Sequence, residues 1–224
     1  MKISILGDSI STYEGYNPRR YAVYYDRDCQ RQNHLDDVAK TWWHQVISWM
    51  GGALCVNDSY SGSRVSGGAF PSGCSAERIG NLGDPDAVLI YLGMNDYGYG
   101  VPVCSKEGGK EGDASFFAPA YECMLTGIRE RWPKAETYCG TLMMSRMKEY
   151  DGWGFPQNYH GNRFEDYNDA IRKACEKSGC TLVDLAALGI RYQSLDGTHP
   201  DDVGHGEIAD AWIKCLWDMA EKLQ

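Results

Sequence analysis

Short apolar runs alternate with stretches of helical period along this chain. Lys2-Ile-Ser-Ile-Leu6 reads as a short buried strand ending at Gly7. Residues 41–50, TWWHQVISWM, carry Thr41 as an N-cap and Trp42, Val46 and Trp49 on one face before Gly51-Gly52, which predicts a helix. Residues 53–57 predict a second strand. The run DAVLIYL at 86–92, bounded by Pro85 and Gly93, is continuously apolar, as a strand covered on both faces must be. A helix over 115–131 stopped by Pro133, a strand over 135–142, a helix over 163–178 closed by Gly179, a strand over 180–183 and an amphipathic helix over 202–222 complete the pattern. Strands alternating with helices imply βαβ units and a parallel sheet. Residues 13–38, 97–118 and 143–162 show no clear period and read as long loops, which in compact domains are often functional.

Composition narrows the class. No repeat, low-complexity tract or linker divides the 224 residues, so one domain over 1–224 is expected. A net charge of −9 without a Lys/Arg block argues against a nucleic-acid backbone as partner. No run is long enough to cross a bilayer. The start, MKISILGDSIS, lacks the long apolar segment of a secretory leader, so cytoplasmic residence is expected. The nine cysteines are odd in number and form no CxxC pair, which suits reduced thiols better than disulfides or a zinc site.

Four short segments can carry chemistry. Gly7-Asp8-Ser9-Ile10 follows the first strand, where a glycine lets the chain turn sharply at the carboxyl edge of a parallel sheet. By itself this is more often a simple strand-to-helix N-cap. Asp196-Gly197-Thr198-His199-Pro200 precedes the last helix, and an Asp three residues before a His can meet one imidazole nitrogen while the other takes a serine proton. Alone it is a common loop cap. Asn95, in Gly93-Met94-Asn95-Asp96, can donate to an oxyanion or be an ordinary turn residue; Gly62, in Ser61-Gly62-Ser63-Arg64, can present a bare N–H or be part of a plain Gly/Ser loop. His34, His44, His160 and His205 have no such neighbours and read as surface or packing residues.

Taken together and in order, GDSI at 7–10, Gly62 in SGSR, GMND at 93–96 and DGTHP at 196–200 resemble the four blocks of the SGNH hydrolases, the GDSL-type esterases and lipases. The resemblance implies a flavodoxin-like three-layer α/β/α sandwich with a five-stranded parallel sheet. It implies Ser9 as nucleophile, His199 as general base and Asp196 as its partner, with the Ser9 N–H, Gly62 and Asn95 as the oxyanion hole. It implies no metal or organic cofactor. The GxSxG elbow of α/β-hydrolases is absent around Ser9.

The substrate is less legible. Tyr13, Tyr16, Tyr21, Tyr24 and Tyr25, with Trp42 and Trp43, can form an aromatic wall suited to sugar rings, or pack the loop onto the body. Asp8, Arg64, Tyr13 and Tyr25 are the candidate substrate contacts, Arg64 having a surface ion pair as its equal alternative. Met143, Met144, Trp153 and Phe155 can shape a pocket wall. The expected partner is a small or carbohydrate-borne acyl ester, with no nucleic acid and no membrane insertion. The rival readings are an acyltransferase on the same fold, a lipid-directed (lyso)phospholipase or thioesterase, and a non-catalytic binding module. A nucleotide binder would want GxGxxG or GxxxxGK[ST], and neither occurs.

Overall fold

The computed structural model describes residues 1–104, 113–147 and 161–222. Its strands are β1 (Lys2–Gly7), β2 (Ala53–Ser59), β3 (Ala87–Tyr91), β4 (Glu136–Gly140), β5 (Ser145–Met147), β6 (Thr181–Val183) and β7 (Tyr192–Ser194). Its α-helices are α1 (Arg27–Gln32), α2 (Trp42–Trp49), α3 (Ala76–Gly80), α4 (Met94–Gly98), α5 (Phe117–Arg131), α6 (Phe164–Ser178) and α7 (Asp202–Lys222).

Five strands form one parallel sheet in the order β2-β1-β3-β4-β6, as the alternating pattern predicts. Every residue of β3 is buried, so both faces of the sheet are covered there. Helices α2 and α7 pack together as one group, and α3, α5 and α6 as the other. The α2–α7 contact is built on indole stacking, with the rings of Trp42 and Trp212 5.3 Å apart and 19° from parallel. Small residues allow close approach between sheet and helix and between helices: a side chain on Gly140 would lie 2.6 Å from Trp212, and one on Gly127 of α5 would lie 2.7 Å from Ile79 of α3. Among the described residues no helix is long and apolar enough to cross a membrane. All nine cysteines are free thiols.

Three expectations are corrected. Trp49 does not share the buried face of α2 and is 40% exposed. That face is Trp42, Trp43, Val46 and Ile47; at 100° per residue, Trp49 lies about 90° from its centre. The 13–38 segment is not all loop, because it holds α1, whose sequence RDCQRQ buries nothing and therefore has no apolar stripe. Its start is fixed instead by Asp26, which accepts from the N–H groups of Asp28 and Cys29. The 143–162 segment likewise begins in a strand, since β5 pairs in parallel with β7 as a small second sheet. Three residues are too few for any period to register. Trp153, Phe155 and His160 lie outside the described residues.

Candidate active site

The site is assembled on three adjacent strands. Register aligns Gly7 of β1 with Ser59 of β2 on one side and Tyr91 of β3 on the other, so the three strands end level. The loops that follow carry Ser9, Gly62 and Asn95.

Gly7 allows the first turn because a side chain there would lie 2.7 Å from Ser11 Oγ and 2.9 Å from Ser59 Oγ. Asp8 then caps a single 3-10 turn over Ser9–Ser11, its Oδ1 accepting from the Ile10 N–H at 3.1 Å. Thr12 Oγ1 donates to the Ser9 carbonyl at 2.8 Å and fixes the turn from its far end.

His199 reaches this turn from the loop between β7 and α7. Gly197, at φ +86°, permits the bend. Asp196 Oδ1 accepts from the N–H groups of Thr198 and His199 at 2.9 and 2.7 Å and from Ser194 Oγ at 3.1 Å. The loop is tied down by hydroxyls from below: Tyr192 donates to the Thr198 carbonyl at 2.7 Å, Tyr25 to the Pro200 carbonyl at 2.6 Å, and Ser145 to the Gly197 carbonyl.

The result is a continuous relay. His199 Nδ1 lies 2.7 Å from Asp196 Oδ2, and His199 Nε2 lies 2.9 Å from Ser9 Oγ. Burial pushes the Asp196 carboxyl up, but the side-chain bond to His199, its charge and the two backbone N–H groups more than offset this and hold it well below the usual carboxylate range. An ionised carboxylate only accepts, so the imidazole proton sits on Nδ1 and bare Nε2 faces the Ser9 hydroxyl. That arrangement can draw a proton from serine and return it to a leaving group.

Besides Ser9 itself, the donors expected to hold an oxyanion sit in the loops after the neighbouring strand ends, β2 and β3. One N–H of the Asn95 amide is bound to the Ser63 carbonyl at 2.9 Å, which joins the β3 loop to the β2 loop and leaves the second N–H to donate elsewhere. Among the described residues, the main-chain N–H groups of Ser9 and Gly62 have no hydrogen-bond acceptor within the protein. Gly62 takes φ +79°, a conformation that favours glycine.

Two buried charges hold these loops, and sequence reading missed both roles. Asp96, directly after Asn95, accepts from the N–H groups of Val65 and Ser66 at 2.7 and 3.0 Å. Arg78 is fully buried: its Nε pairs with Asp58 Oδ2 at 2.7 Å, Nη2 donates to the Gly7 carbonyl at 3.0 Å, and Nη1 donates to Ser63 Oγ at 3.1 Å. The GMND block contains Asp96, whereas nothing around Glu77-Arg78-Ile79 marks a buried arginine.

The remaining candidates divide. Tyr13 and Tyr25 are buried, with hydroxyls bonded to the Leu35 and Pro200 carbonyls, so they pack the loop and are not substrate contacts. Trp42 and Trp43 are core residues as well. Asp8 lies beneath Ser9, and burial lifts its carboxyl to about 7 against the opposing Ile10 N–H and His199 charge. His205 is a packing residue: burial, then the charge of His199, pushes its imidazole down to about 3, and its Nδ1 accepts from the Trp42 N–H at 3.2 Å. Tyr24 is the aromatic that reaches the relay, its ring stacked on the His199 imidazole. Arg64 is exposed, its guanidinium carbon 5.7 Å from the Tyr99 ring centre.

Gly62, Ser63, Arg64, Pro71, Ser72 and Tyr99 line a cavity of about 350 Å³, which shares Gly62 with the expected oxyanion donors. Larger hollows of about 770, 670 and 450 Å³ are lined by residues of α5 and α6, of β4, β6 and α7, and of α3 and α5, none of them a relay residue. Among the described residues no three His, Cys, Asp or Glu side chains gather as a metal set would.

Comparison with known proteins gives the family and the fold. Residues 1–150 match the model of the GDSL-like Lipase/Acylhydrolase family. No curated protein sequence matches the chain. A solved structure from Bacteroides ovatus, described as a GDSL-like lipase, is 28% identical over 97% of this chain and 98% of its own, with a TM-score of 0.74. A second, from Bacteroides uniformis and described in the same words, is 26% identical over 99% of this chain and 95% of its own, with a TM-score of 0.71. A carbohydrate esterase family 2 enzyme of Corynascus thermopiles, joined to a carbohydrate-binding domain, shares the fold at 20% identity, 96% coverage of this chain, 66% of its own and a TM-score of 0.58. The chain belongs to the GDSL-like lipase/acylhydrolase family and is an ester hydrolase.

Proposed function

We propose that the chain removes short acyl groups from a carbohydrate or similarly small polar alcohol, through an acyl-enzyme on Ser9. The observation that carries this is the unbroken Asp196–His199–Ser9 relay at 2.7 and 2.9 Å. His199 takes the Ser9 proton as Oγ attacks the ester carbonyl. The Ser9 and Gly62 N–H groups and the Asn95 amide receive the oxyanion. His199 then protonates the leaving alcohol, and water repeats the sequence on the acyl-enzyme. The carboxylate of Asp196 holds the imidazole in the tautomer this requires.

The substrate reading rests on the neighbouring cavity. Its lining of Gly62, Ser63, Arg64, Pro71, Ser72 and Tyr99 offers hydroxyls, a cation and one aromatic face, with no aliphatic chain except the Pro71 ring. Such a lining suits a hydroxyl-bearing substrate and gives little to a long alkyl chain. The carbohydrate esterase of Corynascus thermopiles is an example of sugar-ester chemistry on the same fold.

Hydrolysis of p-nitrophenyl acetate, butyrate and octanoate by the wild type and Ser9→Ala tests the reading, followed by acetylated sugars. Turnover of the acetate that disappears in Ser9→Ala is the expected result. Turnover unchanged by the substitution would remove Ser9 as nucleophile, and a preference for octanoate would overturn the substrate class.

A further inference from the structure

Tyr24 lies flat on the His199 imidazole, with ring centres 3.5 Å apart and planes 9° from parallel. Its hydroxyl donates to Asp196 Oδ2 at 3.1 Å, the same oxygen that receives His199 Nδ1 at 2.7 Å. One side chain thus touches two of the three members of the relay, His199 by its face and Asp196 by its tip.

The backbone around it bridges the two halves of the site. The Tyr24 N–H donates to Thr12 Oγ1 at 3.0 Å, and that hydroxyl donates on to the Ser9 carbonyl at 2.8 Å. The next residue, Tyr25, meets the Tyr24 ring edge-on at 4.9 Å and holds the Pro200 carbonyl at 2.6 Å, directly after His199. Tyr24-Tyr25 is therefore anchored to the serine turn at one end and to the histidine loop at the other. Half-burial and the charge of Asp196 push the Tyr24 phenol up, which keeps it protonated and donating.

We propose that Tyr24 is a positioning residue for the base: its ring fixes the plane of His199, and its hydroxyl shares the charge of Asp196. The proposal rests on the reading of Ser9, His199 and Asp196 given above. An imidazole held at both nitrogens can still rock about the line joining them, and a ring stacked at 3.5 Å opposes that motion. The stack also covers one face of the Nδ1–Oδ2 bond, on which water would otherwise compete, since the Asp196 side chain is 44% exposed.

The other titratable groups around the pair are Asp8 beneath Ser9, His205 and Asp201 at the start of α7, Tyr25 and Cys29 from the 13–33 segment, and Tyr192 from β7. All remain in a Tyr24→Phe variant, so a change in that variant reports the hydroxyl alone. Without the hydroxyl, Asp196 turns its full charge to the imidazole, the imidazolium is favoured, and the acid limb of kcat/KM moves to higher pH.

Two measurements on the full chain decide it: the pH profile with p-nitrophenyl acetate, and the low-field proton resonance of His199 Nδ1–H. Tyr24→Phe is expected to move the acid limb up by about 0.5 pH unit with KM unchanged, and to keep the resonance at a shifted position. Tyr24→Leu is expected to lower kcat by at least about tenfold and to broaden the resonance by faster exchange with water. Retention of the wild-type acid limb in Tyr24→Phe, or a rise in KM with kcat unchanged in Tyr24→Leu, would overturn the proposal. If Tyr24→Leu does not fold, the near-isosteric Tyr24→Phe decides alone. The resonance needs no turnover, so loss of the esterase reading through Ser9→Ala is distinguishable from failure at Tyr24.

Discussion

The buried guanidinium of Arg78 donates to the carbonyl of Gly7 at 3.0 Å, two residues before the proposed nucleophile. The same side chain neutralises Asp58, whose carboxyl burial pushes up and Arg78 pulls back. One cation therefore pins the ends of β1 and β2 at the height the site requires. Arg78→Met is expected to lower unfolding free energy by about 3–5 kcal/mol, because it strands a buried carboxylate. Urea denaturation measures this. Arg78→Met with Asp58→Asn should recover part of the loss, and a single variant as stable as the wild type would show that the pair does not hold the strands.

Asn95 gives one amide N–H to the Ser63 carbonyl and leaves the other for the proposed oxyanion. Asn95→Ala is expected to reduce kcat by roughly 10²–10³, the range for removal of one oxyanion donor elsewhere. KM should change little, since the bond strengthens only as charge develops on the carbonyl oxygen. Steady-state kinetics separate the two parameters. A rise in KM with kcat intact would assign Asn95 to ground-state binding instead.

His205 gives stability a pH dependence of definite sign. Its imidazole is held at about 3 by burial in the fold, against an ordinary value of about 6.5 in the unfolded chain. A group whose folded value is lower keeps its stabilising effect above the unfolded value and loses it as pH falls from about 6.5 toward 3. Melting temperature should therefore fall over that window, and His205→Gln, which cannot charge, should flatten the slope. An equal slope in both proteins would remove His205 as its source.

Much of the frame was legible in the chain because burial leaves a pattern. The DAVLIYL run announced a strand covered on both faces, and β3 is wholly buried. The four motif segments were legible for a different reason, since turn glycines, a serine and an Asp-x-x-His pair are restricted to few backbone settings. What escaped had no period to display. The six residues of α1 bury nothing, and β5 and β7 are three residues each. Arg78 looked like any surface arginine, because its partners Asp58, Gly7 and Ser63 are 15 to 71 residues away in sequence. Tyr13, Tyr24 and Tyr25 read alike as one aromatic cluster, and only the path of the loop separates the core rings from the one that meets His199.

The hydrogen bond between Ser9 and His199 joins residues 190 positions apart. Its first member follows β1, which sits inside the sheet between β2 and β3, and its second precedes α7, which packs on α2. A ribosome that has made the first strand has made the serine, yet no length of chain short of residue 199 can act on an ester by this route. Nor can a segment that carries the histidine do so without the strand around which the sheet is ordered. With Ser9 and His199 in their proposed roles, hydrolytic competence is indivisible in this molecule: an interrupted translation product holds the serine without its base.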